Sequence, residues 1–187
     1  MVDLVSAASL LQKQIEEHGW RFCFIGGLAV QHWGEPRMTR DLDLALLTGF
    51  GTEASFVDTL LASYRGRITD ARTFALARRI LLLQTESGIG IDISLAALPF
   101  EEEAVDRSIQ VEFIPGIALR LCSAEDLIVM KIFAGREIDV RDVRSIIIRQ
   151  GKENLDWPYI ESHVCELAEL KEDSNMILLL GNLRNIS

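Results

Sequence analysis

The chain has 187 residues, a length that suits one domain or one domain with a helical extension. Hydrophobic residues make up 49% and charged residues 25%, the composition of a globular protein. That composition excludes a disordered chain and a collagen-like repeat. The formal net charge of −9 is uneven, because residues 1–94 contain 9 Lys and Arg against 11 Asp and Glu, whereas residues 95–187 contain 10 against 17. Such a chain lacks the broad basic face with which general nucleic-acid binders replace counterions.

The cysteines and the apolar segments point to the compartment. Cys23, Cys122 and Cys165 have no paired spacing and no nearby histidine, which favours a reducing compartment and argues against a zinc site. The N-terminus has no basic segment followed by an apolar run, so no secretory signal is predicted. No apolar stretch approaches the ~20 residues of a membrane-spanning helix. We therefore expect a cytoplasmic protein that does not interact with membranes.

Hydrophobic periodicity predicts a mixed α/β arrangement followed by helices. In chain order, the predicted elements are helix 4–18, strand 22–25, helix 28–33, strand 41–47, helix 56–64, strands 72–85 and 89–96, a helix after Pro99, strands near 108–114 and 117–121, and helices 123–135, 139–150, 156–171 and 174–185. Strand signals stop at Ser123. The predicted fold class is therefore α/β (α+β, with a mixed sheet), comprising a core of residues 1–122 and a helical segment, 123–187, packed on that core.

Three carboxylates are the strongest candidates for chemistry. Side chains alternate along a strand, so Asp41 and Asp43 project from one face of the predicted strand 41–47. Asp92 lies between Ile91 and Ile93, which turns it away from the core. If strands 41–47 and 89–96 are neighbours, the three carboxylates meet and repel one another unless a cation lies between them. Hard oxygen ligands suit Mg²⁺ or Mn²⁺, and the alternative is an ordinary solvated strand face.

Gly26 and Gly27 lie between a buried strand and a predicted helix. Glycine lets a phosphate approach the backbone, and a helix N-terminus presents free N–H groups to an anion. A Gly-Gly pair after a strand is more often a simple turn. The glycines and the carboxylates together are therefore much more informative than either is alone.

Four further residues are candidates for contacts with phosphate. Arg37 and Arg40 flank the predicted carboxylate strand, with Thr39 between them, and the arginines either clamp phosphates or offset the acidic cluster. Lys131 lies on a helix that is apolar on nearly every side, so its ammonium must find an anion if it is buried. A structural ion pair, snorkelling to solvent and a triphosphate contact remain open for Lys131.

The order of these motifs resembles the nucleotidyltransferase fold superfamily: two glycines after a strand, a short helix, Asp-hydrophobic-Asp on the next strand, and a later Asp between hydrophobic residues. Thirteen residues separate Gly27 from Asp41, which fits that pattern. The segment GGLAVQHWGEPRMTRDLDL is most similar to small bacterial AbiEii-type, toxin-like nucleotidyltransferases, and AEDLIVMKIFAGREIDVRDV resembles their helical segment. The resemblance covers residues 20–150.

The resemblance implies a minimal nucleotidyltransferase fold with a C-terminal helical extension. Asp41 and Asp43 would bind the Mg²⁺ or Mn²⁺ ions that bridge the NTP, and Asp92 would complete the metal site and help to deprotonate the acceptor hydroxyl. Gly26 and Gly27 would lie against the triphosphate, and the resemblance tips Lys131 towards phosphate. Many members have Ser at the position of Gly27, where this chain offers only a backbone N–H.

The implied activity is transfer of a nucleoside monophosphate from an NTP to a hydroxyl of RNA or protein. Its implied context is the toxin of a toxin–antitoxin pair, with an antitoxin protein as partner. Two alternatives stay open. One is an antibiotic adenylyltransferase of the aminoglycoside or lincosamide type, since an acidic chain suits a cationic small molecule. The other is a nucleotide- or partner-binding protein in which catalysis has decayed.

Overall fold

A computed structural model of the chain describes residues 2–185. It contains seven strands and nine α-helices among those residues. In chain order they are α1 Val2–Glu17, β1 Phe22–Ile25, α2 Gly26–Trp33, β2 Asp41–Leu47, α3 Glu53–Ser63, β3 Arg65–Gly66, α4 Ala71–Arg78, β4 Ile80–Gln84, β5 Gly90–Ala96, α5 Pro99–Asp106, β6 Ile109–Ile114, β7 Ile117–Leu121, α6 Ala124–Ala134, α7 Glu137–Gln150, α8 Trp157–Lys171 and α9 Asn175–Arg184. A short 3₁₀-helix, Lys152–Asn154, follows α7.

All seven strands form one mixed sheet in the order β3-β4-β5-β2-β1-β7-β6. The pairs β2–β5 and β1–β7 are parallel, and the other four pairs are antiparallel. The central strands β1, β2 and β5 are rich in buried apolar residues, which is typical of strands covered on at least one face. The predicted mixed α/β class is confirmed, and the predicted strands 41–47 and 89–96 are direct neighbours.

Contacts between Cα atoms divide the chain into two compact units. The first unit comprises the chain up to Leu28 together with Met38–Cys122, and it holds the whole sheet. Its hydrophobic core combines Leu11 and Ile15 of α1 with inward-facing strand residues such as Leu44 and Ile93. Every fourth or third residue of α1 enters that core, as its amphipathic pattern predicts.

The second unit comprises Ala29–Arg37 and the chain from Ser123 onward. Its centre is α6, which contacts α7, α8 and α9. The helix is buried on several sides, at Leu127, Ile128 and Ile132 among others, as its apolar pattern predicts. Ser123 caps its start, because its hydroxyl accepts the N–H of Asp126 at 3.1 Å. No local pattern in residues 29–37 predicts that they group with the later helices.

Two parts of the element prediction are wrong. Residues 72–79 were predicted as the start of a strand, but Ala71–Arg78 forms α4, with Ala71 and Ala75 buried one helical turn apart. Arg79 then adopts a left-handed conformation, φ 56°, and turns the chain into β4. The short strand β3 was not predicted. No helix within residues 2–185 combines the length and apolarity needed to cross a membrane.

Candidate active site

The carboxylates Asp43 and Asp92 lie side by side on the two central parallel strands. The register of β2 and β5 pairs Asp43 with Asp92. Two residues earlier on each strand, it pairs Asp41 with Gly90. Because Asp41 and Asp43 are two residues apart on a strand, they project from the same face. The fold therefore brings the three predicted carboxylates to one face of the sheet.

Arg67 joins two of these carboxylates. Its guanidinium donates a short hydrogen bond to Asp92 Oδ1, and its Nη1 lies 3.6 Å from Asp41 Oδ1. Arg67 directly follows the edge strand β3, and its backbone N–H donates to Leu82 of β4 at 2.9 Å. Arg67 is not predictable from the sequence, because its partner Asp92 is 25 positions away and the two meet only through the order of β3, β4 and β5.

The two glycines bring the start of α2 against Asp43. The Gly27 N–H donates to Asp43 Oδ2 at 3.2 Å. Gly26 has φ 58°, which side chains disfavour, and a Cβ there would overlap the Asp43 carboxylate. Helix α2 begins at Gly26, two residues before its predicted start at Leu28. The positive end of its dipole therefore lies beside the Asp43 carboxylate.

Thr39 occupies the space above the second glycine. A Cβ on residue 27 would overlap the Thr39 hydroxyl and would lie 2.8 Å from Thr39 Cβ. The hydroxyl itself donates to the Asp41 carbonyl at 3.3 Å. A hydroxyl group is thus present next to the Gly27 backbone, although it comes from residue 39 and not from residue 27.

Burial and the Arg67 charge act in opposite directions on the pKa of Asp92. Burial raises the pKa of this carboxyl above its ordinary value, the Arg67 charge opposes that rise, and the nearby Asp41 carboxylate adds to it. A half-buried carboxylate beside another carboxylate is stabilised by a cation. In this structure the neighbouring cation is the Arg67 guanidinium.

The donor set fits a hard divalent cation in its chemistry, since three carboxylates share one face of two neighbouring strands. Their side chains have not converged on a common point. Within residues 2–185, no group of three or more Asp, Glu, His or Cys side chains is arranged to hold a metal ion. Arg67 contacts Asp41 and Asp92, while Asp43 accepts the Gly27 N–H.

Arg37 and Lys131 belong to a separate chain of charges in the second unit. Lys131 Nζ lies 2.8 Å from both Asp139 Oδ1 and Asp142 Oδ2. Arg37 binds Asp142 through two nitrogens, at 2.7 and 2.9 Å. Arg136 binds Asp139 in the same bidentate way, at 2.6 and 3.1 Å. Five charges therefore alternate in sign along this ion chain, which we define as Arg37, Asp142, Lys131, Asp139 and Arg136.

The predicted site residues fall in both units of the chain. The first unit holds Gly26, Gly27, Thr39, Arg40, Asp41, Asp43 and Asp92, and the second holds Arg37 and Lys131. Of the open interpretations, the geometry supports a structural ion pair for Lys131, and contact with phosphate stays a prediction. Arg40 is exposed and makes no hydrogen bond or ion pair with another residue of the described part of the chain.

Comparisons with known proteins give one family model and several solved structures of similar fold. A family model described as "Nucleotidyltransferase of unknown function (DUF6036)" matches residues 1–178. No curated protein matches the chain. Among solved structures, an antigenic nucleotidyltransferase-like protein from Paracoccidioides brasiliensis is similar, with a TM-score of 0.54, 17% identity and coverage of 94% of this chain and 92% of that one.

Two structures of the antibiotic-resistance factor ANT(2″)-Ia are also similar in fold. Its solution structure gives a TM-score of 0.52 at 16% identity and covers 91% of each chain. Its crystal structure in complex with adenylyl-2″-tobramycin gives 0.51 at 16% identity, covering 91% of this chain and 96% of that one. At such identities the likeness establishes the fold of the chain.

Proposed function

The chain belongs to the family of nucleotidyltransferases of unknown function (DUF6036), and from that premise we propose that it moves a nucleoside monophosphate from an NTP to a hydroxyl acceptor. The observation that carries this proposal is the pairing of Asp43 with Asp92 beside the start of α2. In the transfer, the acceptor oxygen bonds to the α-phosphorus, the bond to pyrophosphate breaks, and the hydroxyl proton passes to a carboxylate.

Asp41, Asp43 and Asp92 are the residues that would hold Mg²⁺ or Mn²⁺. Such ions, when bound, offset the charge of the triphosphate and of the departing pyrophosphate. Gly26 and Gly27 would present the N-terminal end of α2 to a phosphate, and the Thr39 hydroxyl would lie next to them. The exposed Arg40 is available to a phosphate without losing an existing ion pair in the described residues.

Two considerations favour different acceptors. If the sequence resemblance of residues 26–44 to AbiEii-type proteins extends to their function, the chain is a toxin that modifies RNA or protein. The net charge of −9 supports a cationic small molecule over RNA, and the crystal structure of ANT(2″)-Ia, which has a similar fold, contains adenylyl-2″-tobramycin. Incubation with α-labelled NTPs and a panel of RNA, protein and aminoglycoside acceptors separates these classes by which product carries the label.

Calorimetric titration of each NTP with and without Mg²⁺ tests the nucleotide site itself. We expect Mg²⁺-dependent binding to the wild type and about 100-fold weaker binding to Asp43→Asn. Loss of a residue that orients a metal ligand typically lowers metal affinity by about 10–100-fold, and loss of the ligand itself should lower it at least as far. Asp58→Asn is the matched control, since Asp58 is an exposed carboxylate on α3 paired with Arg72. Equal NTP binding by Asp43→Asn and wild type would remove the carboxylates from the proposal. Binding without label transfer to any acceptor would identify a protein in which catalysis has decayed.

A further inference from the structure

Arg67 forms ion pairs with two carboxylates of the candidate site. Its side chain is 31% exposed and reaches from the end of the edge strand β3, which it directly follows, to Asp92 on β5 and Asp41 on β2. Arg65, two residues earlier on β3, is exposed and pairs with no acidic side chain of the described residues. The ion pairs of Arg67 are therefore specific to its position and do not reflect a general excess of charge at this edge.

Residue 90 leaves room for this arrangement because it is glycine. Gly90 lies opposite Asp41 in the register of β2 and β5. A Cβ on residue 90 would overlap both Asp41 Oδ1 and Arg67 Nη1. The guanidinium and the carboxylate thus meet directly above the Gly90 backbone, in space that any other residue would fill.

A guanidinium and a divalent cation cannot both sit between the same two carboxylates. Each needs the oxygen lone pairs of Asp41 and Asp92, and the two positive charges repel one another. We infer that Arg67 is an intrinsic competitor of the divalent cation: it neutralises Asp41 and Asp92 when no cation is bound, and it must withdraw from them for the cation to bind. This inference rests on the proposed function, because it takes the carboxylates as the metal ligands.

Direct measurement of Mn²⁺ binding tests the competition without any turnover. Free Mn²⁺ is followed by its electron paramagnetic resonance signal during titration of the full chain, in the absence of NTP. We expect Arg67→Met to bind Mn²⁺ about tenfold more tightly than the wild type, which corresponds to about 1.4 kcal/mol. Arg67→Lys should tighten binding by a smaller factor, about threefold, because an ammonium cannot hold two carboxylates with a fork of donors.

Two further variants control the measurement. Arg65→Met removes the same charge from a position two residues earlier in the chain, and we expect it to leave the Mn²⁺ affinity within about twofold of the wild type, since exposed charges are screened. Asp92→Asn should abolish saturable binding. Far-UV circular dichroism verifies that each variant is folded, and Arg67→Lys keeps the inference testable if Arg67→Met does not fold.

The outcomes separate this inference from the proposed function. If Asp92→Asn loses Mn²⁺ while both Arg67 variants bind it with wild-type or lower affinity, Arg67 does not compete and the inference is overturned, although the metal site stands. If the wild type and the Arg67 variants all fail to bind Mn²⁺, or if Asp92→Asn binds it as the wild type does, the proposed metal site fails and the inference fails with it.

Discussion

At Gly27 the space that a side chain would fill is taken by Thr39. The Thr39 hydroxyl overlaps the position of a Cβ on residue 27, and Thr39 Cβ lies 2.8 Å from that position. The absence of a side chain at residue 27 is therefore a requirement of local packing in this chain. A hydroxyl next to the start of α2 has to come from residue 39.

Replacement of Gly27 by Ala should accordingly destabilise the protein. We expect urea denaturation to give a free energy of unfolding lower by about 1–3 kcal/mol, the usual cost of overpacking. Gly181→Ala is the matched control, since Gly181 is also helical and, within residues 2–185, no atom outside its own helical turn and chain neighbours lies within 4 Å of its Cβ position. That control should be neutral or stabilise by about 0.5–1 kcal/mol. A Gly27→Ala protein as stable as the wild type would mean that Thr39 moves aside without cost.

The site shows which residues a sequence can reveal. Asp41, Asp43 and Asp92 are recognisable because alternation along a strand is a local property, and only the pairing of β2 with β5 had to be assumed. Arg67 was not recognisable, because nothing near it in the chain distinguishes it from Arg65. Its role depends on the edge position of β3, a strand of 2 residues that is too short to leave a hydrophobic pattern.

Among the elements, α6 and α7 are joined by a cluster of buried charges. Lys131 is 6% exposed, and its partners Asp139 and Asp142 are 0% and 4% exposed. Buried charges are costly unless each is paired, so these two helices depend on the alternation of sign along the ion chain. At its two ends the ion chain has arginines that are more accessible to solvent, Arg37 and Arg136.

Lys131→Met should distinguish a structural role from contact with phosphate. A structural role predicts a free energy of unfolding lower by about 3 kcal/mol, because two buried carboxylates lose a shared partner. Lys13→Met, which replaces an exposed lysine on α1, should change stability by less than about 0.5 kcal/mol. If Lys131→Met retains wild-type stability in urea denaturation and loses affinity for NTP, the phosphate interpretation is correct.

The ion chain also predicts how stability depends on pH. Burial alone would raise the pKa of Asp139 and Asp142, but the hydrogen bonds from Arg136, Arg37 and Lys131 outweigh it and lower both values. A carboxyl whose folded-state pKa is lowered contributes stability that is complete above its unfolded pKa of about 3.9 and is lost as pH falls through the folded pKa.

We therefore expect the free energy of unfolding of the wild type to fall as the pH is lowered from about 5 to 3. Asp142→Asn should be less stable at pH 6 and should show a shallower fall over the same interval, because one of the titrating groups is gone. Urea denaturation of both proteins at several pH values measures the difference, in which the carboxyls outside the ion chain cancel. Parallel curves for the two proteins would contradict the assignment.

Helix α4 shows where element prediction from sequence reaches its limit. Residues 72–79 contain Thr and Phe and run into the apolar Ile80–Gln84, so they were predicted as one long strand. The structure ends a helix at Arg78 and reverses the chain through Arg79 in the left-handed region, without a glycine to mark the break. Elements flanked by glycine, such as β1 and β5, had boundaries that were predicted within one residue.

At the scale of the whole molecule, the second unit is assembled from two distant parts of the chain. Residues 29–37 supply partners to α7: the Trp33 carbonyl accepts from Gln150 at 2.7 Å, and the Glu35 N–H donates to Ser145 at 3.1 Å. Arg37 neutralises the buried Asp142. The later helices are therefore incomplete without this short segment.

A fragment that begins at Ser123 should consequently not fold as an independent domain. We expect it to lack a cooperative transition in urea denaturation followed by circular dichroism, because Asp142 and the α7 side chains would lose their partners. Addition of a peptide spanning residues 26–38 should restore part of the helical signal, whereas a scrambled peptide of the same composition should not. A cooperative transition of the fragment alone would show that residues 29–37 are dispensable.

The shared construction of the second unit has a consequence for biosynthesis. Arg37 leaves the ribosome well before its partner Asp142, which lies 105 positions later in the chain. At translation rates of about 5–20 residues per second, that interval lasts on the order of 5–20 s. During this time the nascent segment around Trp33 and Arg37 has no docking surface of its own unit. Because synthesis runs from the N-terminus, we expect this segment to stay accessible to chaperones and proteases until α7 has been made.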